Sequence, residues 1–234
     1  MFNFVALLVL VTILTACSTS AINLPPHAAV HLRIEGSNKT IYEGPIVTFP
    51  HNVTTESGGT HHCDGTNNNE NPTPGPTCTT ALDDASKVAG FTWDGTFFTE
   101  FDDYFITRIA SDTGDGDIAW GILVDFQFTP VGGCQQEVKD GDYVLWAFDA
   151  FTKAHFLKLS GPTTARVNQL VTFVVTDGAT GEKLAGARVA GDGFSGTTDG
   201  NGEVQFKFTS HGLHSFKAER EDSIRSNRAA VLVL

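Results

Sequence analysis

Between residues 30 and 34 the apolar Val30, Leu32 and Ile34 alternate with His31 and Arg33, the period of a half-buried strand. Residues 40–49 predict a second strand, and Gly36-Ser37-Asn38 between the two predicts the turn of a hairpin. The stretch 50–79 is polar and rich in Gly, Asn, Pro and Thr, which reads as a long loop. Thr80 then stands where a helix cap belongs, with Asp83 three residues on. Leu82, Ala85, Val88 and Ala89 fall on one helical face, and Gly90 supplies the stop. From Ile118 the alternation returns: Ile118, Trp120, Ile122, Val124, Phe126 and Phe128 predict one long strand with a single apolar face. Residues 143–148 and 155–159 add two more strands.

Breakers cluster at Ser160-Gly161-Pro162-Thr163-Thr164. Beyond them, short strand-like runs at 169–176, 187–190, 202–209, 214–219 and 229–234 are separated by turn residues, the spacing of a small sandwich. The pattern therefore predicts an α+β domain over 30–159, a linker over 160–166 and an all-β domain over 167–234.

The apolar run 4–14, followed by the small residues Ala16, Ser18, Ser20 and Ala21, reads as an export signal over 1–21, with 22–29 as a short linker. The run is too short to span a bilayer, and no transmembrane segment is expected elsewhere. Leu14-Thr15-Ala16-Cys17 also fits a bacterial lipobox, so a lipid anchor at Cys17 stands beside plain secretion. Asn38-Lys39-Thr40 and Asn52-Val53-Thr54 are sequons, which make Asn38 and Asn52 glycosylation acceptors if the source is eukaryotic.

Charge sharpens the division. The 234 residues carry a net charge of −12, which argues against a nucleic-acid or anionic-membrane partner. Residues 21–159 hold 19 acids against 7 bases, whereas residues 160–234 hold 8 of each. Eight of the acids fall between Asp94 and Asp125, interleaved with Phe91, Trp93, Phe97, Phe98, Phe101, Tyr104 and Phe105. Flat rings stack on sugars or other small molecules, and carboxylates accept hydrogen bonds from hydroxyls. Trp93, Asp94, Asp102, Asp103 and Tyr104 are accordingly the candidate ligand-binding residues. Asp112, Asp115 and Asp117 lie on a Gly-rich segment and offer three hard oxygen ligands for Ca²⁺, without the spacing of an EF-hand. Glu100 with Asp102 is the alternative, the acid/base pair of an extracellular hydrolase. Asp102 and Asp103 are a poor pair, since adjacent residues of an extended segment point to opposite faces. His61-His62-Cys63 holds soft-metal ligand types, but adjacent His side chains diverge. No nucleophile elbow, phosphate loop or zinc ribbon is present, so the reading is non-catalytic.

The chain has four cysteines. In an exported protein they are expected to pair. Cys63 has Cys134 as one partner and Cys78 as a local alternative, and Cys17 joins the count only if it is retained.

Val174-Val175-Thr176-Asp177, Leu184-Ala185-Gly186-Ala187 and Thr198-Asp199-Gly200-Asn201-Gly202 resemble immunoglobulin-like or transthyretin-like surface modules, which act as spacers. His61-His62-Cys63-Asp64-Gly65-Thr66, the helix from Thr80, Trp93 with Gly95, Trp120, Gly133-Cys134 and the run 139–146 resemble the uncharacterised extracellular domains related to the C-terminal domain of transcobalamin. That resemblance implies a β-grasp-like head and favours a Cys63–Cys134 bridge. The expectation is a secreted or cell-surface, monomeric binding or adhesion protein for a small molecule or glycan. It needs no cofactor, with Ca²⁺ left open, and a structural Ca²⁺-stabilised surface protein is a further alternative.

Overall fold

The computed structural model describes residues 25–234; the segment read as an export signal, and Cys17 within it, lie outside the described residues. The first half opens with the antiparallel hairpin β1 (Ala28–Glu35) and β2 (Thr40–Thr48). A second hairpin follows, β3 (His51–Thr55) and β4 (Gly59–Cys63), and then the helix α1 (Cys78–Ala89). Next come β5 (Trp93–Phe98), β6 (Asp103–Ile109) and the short β7 (Asp112–Thr113), which make a three-stranded sheet of their own. Then β8 (Trp120–Val124), β9 (Gln127–Phe128) and β10 (Tyr143–Phe148) complete the main sheet in the order β2-β1-β10-β8-β9. Its centre is the parallel pair β1–β10, with Leu32 opposite Val144 and Ile34 opposite Trp146.

The second half is two facing sheets. Its strands are β11 (His155–Ser160), β12 (Thr164–Ala165), β13 (Leu170–Asp177), β14 (Arg188–Gly191) and β15 (Phe194–Thr197), then β16 (Glu203–Lys207), β17 (Gly212–Glu219), β18 (Ser223–Ile224) and β19 (Ala229–Val233). One sheet runs β16-β13-β11-β18 and the other β12-β19-β17-β14-β15. Alternate residues of β13, Val171, Phe173 and Val175, point inward and pack with Phe206, Phe208 and Phe216 from the other strands. β11, placed by the sequence pattern ahead of the 160–166 linker, pairs with β13 and β18 and so belongs to this sandwich.

The structure corrects the α+β, β-grasp-like class expected for the first half. Nineteen strands in five sheets stand against one helix of 12 residues, and the described chain is an all-β sandwich. The reason is local. The segment read as a loop over 50–79 contains a hairpin whose Val53 is fully buried. Thr, Val and Phe favour the pleated surface, while strong helix formers are scarce.

Two smaller expectations are also corrected. The helix cap is Thr77, in extended conformation, not Thr80. Thr77 Oγ1 accepts from the Thr80 amide, and the Thr80 hydroxyl accepts from the Thr77 amide, a reciprocal box in which both caps are threonine. Gly90 closes the helix at φ 73°, as the pattern indicated. Thr77→Ala is expected to cost about 1 kcal/mol, checked by the urea midpoint. The strand read over 118–128 also stops early. Asp125 and Phe126, both at positive φ, form a two-residue hairpin turn between Val124 and Gln127. Phe126 is thereby thrown to the face opposite Trp120 and Ile122.

The main sheet buries both faces. Val30, Leu32, Ile34, Val144 and Trp146 pack on Leu82 and Ala85 of α1. The opposite face meets the second half through Leu123, Leu145, Phe126, Phe156 and Ile224. Polar groups complete this junction. Glu35, 1% exposed, accepts from Lys217 Nζ at 2.6 Å, from Arg225 Nε at 3.0 Å and from the Thr40 hydroxyl at 3.1 Å. Glu43 accepts from the same Lys217 at 3.0 Å and from the Arg228 amide at 2.6 Å. Arg33, fully buried, lies 3.7 Å from Glu35 and is flanked by the rings of Phe126 and Tyr143, 5.7 and 5.4 Å from its guanidinium carbon.

Candidate ligand groove

The β5–β6 hairpin and the segment 129–136 face each other across a groove. Asp103 and Phe105, two apart on β6, turn the same side toward that segment. Phe98 and Phe101 come from the hairpin turn, and Val131 and Gly132 from the facing loop. The cavity between them measures 660 Å³. A second cavity of 260 Å³ shares Tyr104, Phe105, Val131 and Gly132 with it and continues past Phe128 and Phe151 to the edge of Trp146.

Phe98, Phe101, Phe105, Phe128 and Phe151 keep 39 to 66% of their surface in water. Covering one such ring gains about 1.5–3 kcal/mol. Five left open along one continuous depression are the composition of a binding surface, not of a core.

One carboxyl group lies in this apolar lining. Asp103 is buried; its Oδ1 accepts from the amides of Tyr104 at 2.7 Å and Cys134 at 3.0 Å. Its Oδ2 has no hydrogen-bond partner. Oδ2 fills the space where a side chain on Gly132 would begin, which is why that position is glycine. Burial pushes the Asp103 carboxyl up to about 6, against the pull of the amide donors and with added repulsion from Asp102. The raised value makes the native state bind this proton more tightly than the unfolded chain does. The resulting stability is complete below the ordinary aspartate pKa and is lost as pH rises through about 6. Relative to Asp103→Asn, the wild type is therefore expected to lose up to about 3 kcal/mol between pH 4 and pH 7, read from paired urea titrations.

The other residues singled out in the sequence serve the scaffold. Trp93 is buried and its indole donates to Asp83 Oδ1 at 3.2 Å. Asp94 is buried beneath the β3–β4 turn, where it accepts from the amide and hydroxyl of Ser57. The Tyr104 hydroxyl reaches the carbonyls of Val53 and Gly59, and burial pushes its phenol up to about 12. Asp102, at φ 50°, clamps the hairpin turn to the neighbouring loop by accepting from the Asn68 amide at 2.8 Å. Its other oxygen meets His62 Nε2 at 2.9 Å, and Asp64 meets His62 Nδ1 at 3.0 Å. The Asp64 bond, with both carboxylates nearby, raises the His62 pKa above its ordinary value. Glu100 is exposed on the same turn, while the Asp102 carboxylate is already engaged.

The three residues expected as Ca²⁺ ligands are not gathered into one group. Asp112 is turned away to accept from the amide and hydroxyl of Ser37, whereas Asp115 and Asp117 are exposed. Among the described residues, the one group of three metal-capable side chains within ligand reach of each other is His51, Asp83 and Asp84. Asp83 there already takes Lys87 Nζ at 2.6 Å and the Trp93 indole, so cationic and neutral donors fill its coordination.

Cys63, at the end of β4, is bridged to Cys134 in the groove's far wall. The Gly65 amide donates to the Cys134 carbonyl beside it. Cys78 is a free thiol among the described residues, wholly buried, and burial pushes its pKa well up. Asn38 and Asn52, the two sequon asparagines, are both exposed.

Phe128, Val131 and Phe151 are groove residues that the sequence reading did not place at a ligand site; Phe128 stood there only as the last apolar residue of the 118–128 strand. Val131 and Phe151 each carried a weak signal, as apolar residues inside turn-rich segments.

No protein-family model matches the chain, and no curated protein matches it. Among solved structures, the crystal structure of haptocorrin in complex with Cbi is similar at a TM-score of 0.36 and 14% identity, over 57% of this chain and 28% of that one. The chain thus spans little more than a quarter of that structure's length. Among the described residues no helix is long and apolar enough to cross a membrane.

Proposed function

We propose that the protein is a non-catalytic binding protein that takes up a small apolar molecule in the groove between β6 and the 129–136 segment. The observation that carries this is the set of five water-exposed phenylalanines lining two cavities that share wall residues. Cavities of this size, mostly apolar with few polar groups, are the form of small-molecule sites. Of the binding residues expected of the sequence, the site uses Asp103, with Trp93, Asp94, Asp102 and Tyr104 as its supports. A role outside the reducing cytosol is supported by the Cys63–Cys134 disulfide and by the apolar N-terminal run. The second half, joined to the back of the main sheet, serves as its rigid mount.

The test is the fluorescence of the neutral apolar probe N-phenyl-1-naphthylamine. It is expected to rise on addition of the protein, and Phe105→Ser with Phe128→Ser is expected to abolish most of that rise without changing the melting temperature by more than a few degrees. Both replaced rings are about half exposed, so the fold does not depend on them. An unchanged signal in the double variant would sink the reading.

A further inference from the structure

Resting on that reading, we infer that the groove selects an apolar cation, an organic ammonium with an alkyl or aromatic body, over neutral and anionic molecules of the same shape. Three independent observations meet here. The first is the lining. Among the described residues the one charged side chain lining these cavities is Asp103, with no Lys, Arg or His beside it. The second is the state of that carboxyl group. Asp103 is only 5% exposed, and its Oδ2 lies against Gly132 in the groove lining with no hydrogen-bond partner. A buried carboxylate with no counter-charge weakens the fold, whereas a cation in the groove supplies the missing charge through a thin, poorly screened wall. The third is the rings. Phe98, Phe101 and Phe105 surround the same space, and the faces of aromatic rings attract cations and give nothing to anions.

These features also oppose the alternatives. A neutral apolar ligand is served equally well by rings over an amide side chain, which could accept the same Tyr104 and Cys134 amides without a buried charge. An anionic ligand meets Asp103 and the ring faces with the wrong sign. The excess of acids over bases in residues 21–159 extends the same field outward and draws cations toward the mouth.

The experiment is calorimetric titration of the intact protein with benzyltrimethylammonium and with its neutral isostere neopentylbenzene, at pH 7.5. The cation is expected to bind at least fivefold tighter, and this ratio is expected to fall to near one in Asp103→Asn. Lowering the pH of the wild type to 4.5 provides the same neutralisation without mutation, and the ratio should collapse there too. Equal binding of the two compounds at pH 7.5, or a ratio that survives both neutralisations, overturns the inference and leaves the groove as a site for neutral ligands. Failure of both compounds to bind overturns the inference and the groove reading together.

Discussion

Replacing Glu35 by alanine is expected to remove about 3–5 kcal/mol of stability, the cost of leaving buried charges without their partner. Glu35 is the common acceptor for Lys217 and Arg225 from the second half and lies beside the fully buried Arg33 of its own strand. Lys217 and Arg225 keep part of their surface in water and can rehydrate when the carboxylate goes. Arg33 cannot: among the described residues its three guanidinium nitrogens have no hydrogen-bond partner, Glu35 at 3.7 Å is its charge partner, and two aromatic rings cover it. The loss should therefore fall mainly on Arg33. This gives the control, since a second change, Arg33→Met, should recover a large share of the stability lost in Glu35→Ala. Urea unfolding of the two single variants and the double variant measures the coupling. Additive losses in the double variant would show that the ion group contributes nothing as a unit.

Opening the Cys63–Cys134 bridge is the second large effect. The two residues lie 71 positions apart, and releasing a loop of that length returns roughly 4 kcal/mol of chain entropy to the unfolded state. The Cys63→Ser, Cys134→Ser double variant should show that loss in its urea midpoint. It should also loosen the groove, because Cys134 presents its amide to Asp103 and its carbonyl to Gly65. Probe binding is then expected to weaken more than the remaining folded fraction explains. Cys78 will not reshuffle the bridge in the native state, since attack requires a thiolate and this buried thiol is held protonated. A native protein whose bridge exchanges with Cys78 at neutral pH would contradict this account.

Strands whose two faces differ were legible in the sequence. β1 emerged from alternation because Val30, Leu32 and Ile34 meet the α1 core, whereas β10, buried on both faces, is a near-continuous apolar run. The turn at Asp125-Phe126 was not legible. It uses positive φ at two residues without the glycine that signals such turns, so the alternation ran through it and put Phe126 on the wrong face. The class of the first half failed for a similar reason: polar, Thr-rich hairpins such as β3–β4 look like loops when only isolated positions such as Val53 and Cys63 reach the core.

The site was legible in part. Phe98, Phe101, Asp103 and Phe105 stood in the aromatic and acidic stretch, because one hairpin carries them all. Phe128, Val131 and Phe151 arrive from two distant turns, and nothing local marks them as neighbours of that hairpin. Trp93 and Asp94 belonged to the same stretch yet face inward. A mixture of rings and acids does not say which members point to solvent. The charge count had a similar limit. It found the second half neutral, but Lys217, Arg225 and Arg228 are gathered where that half meets Glu35 and Glu43.

The central pair of the main sheet sets the order in which the chain can become a protein. β1 precedes every other described strand, and its inner neighbour β10 lies opposite it only after a further 112 residues have followed, His31 meeting Tyr143. Until then β1 has the hairpin with β2 and little else to hold it. Pairing so remote in sequence is slow, because the long intervening loop must be closed before any contact offsets its entropy. A chain delivered across a membrane from its N-terminus would thus remain threadable through most of its translocation. It would commit to its structure only when the segment carrying β10 emerges.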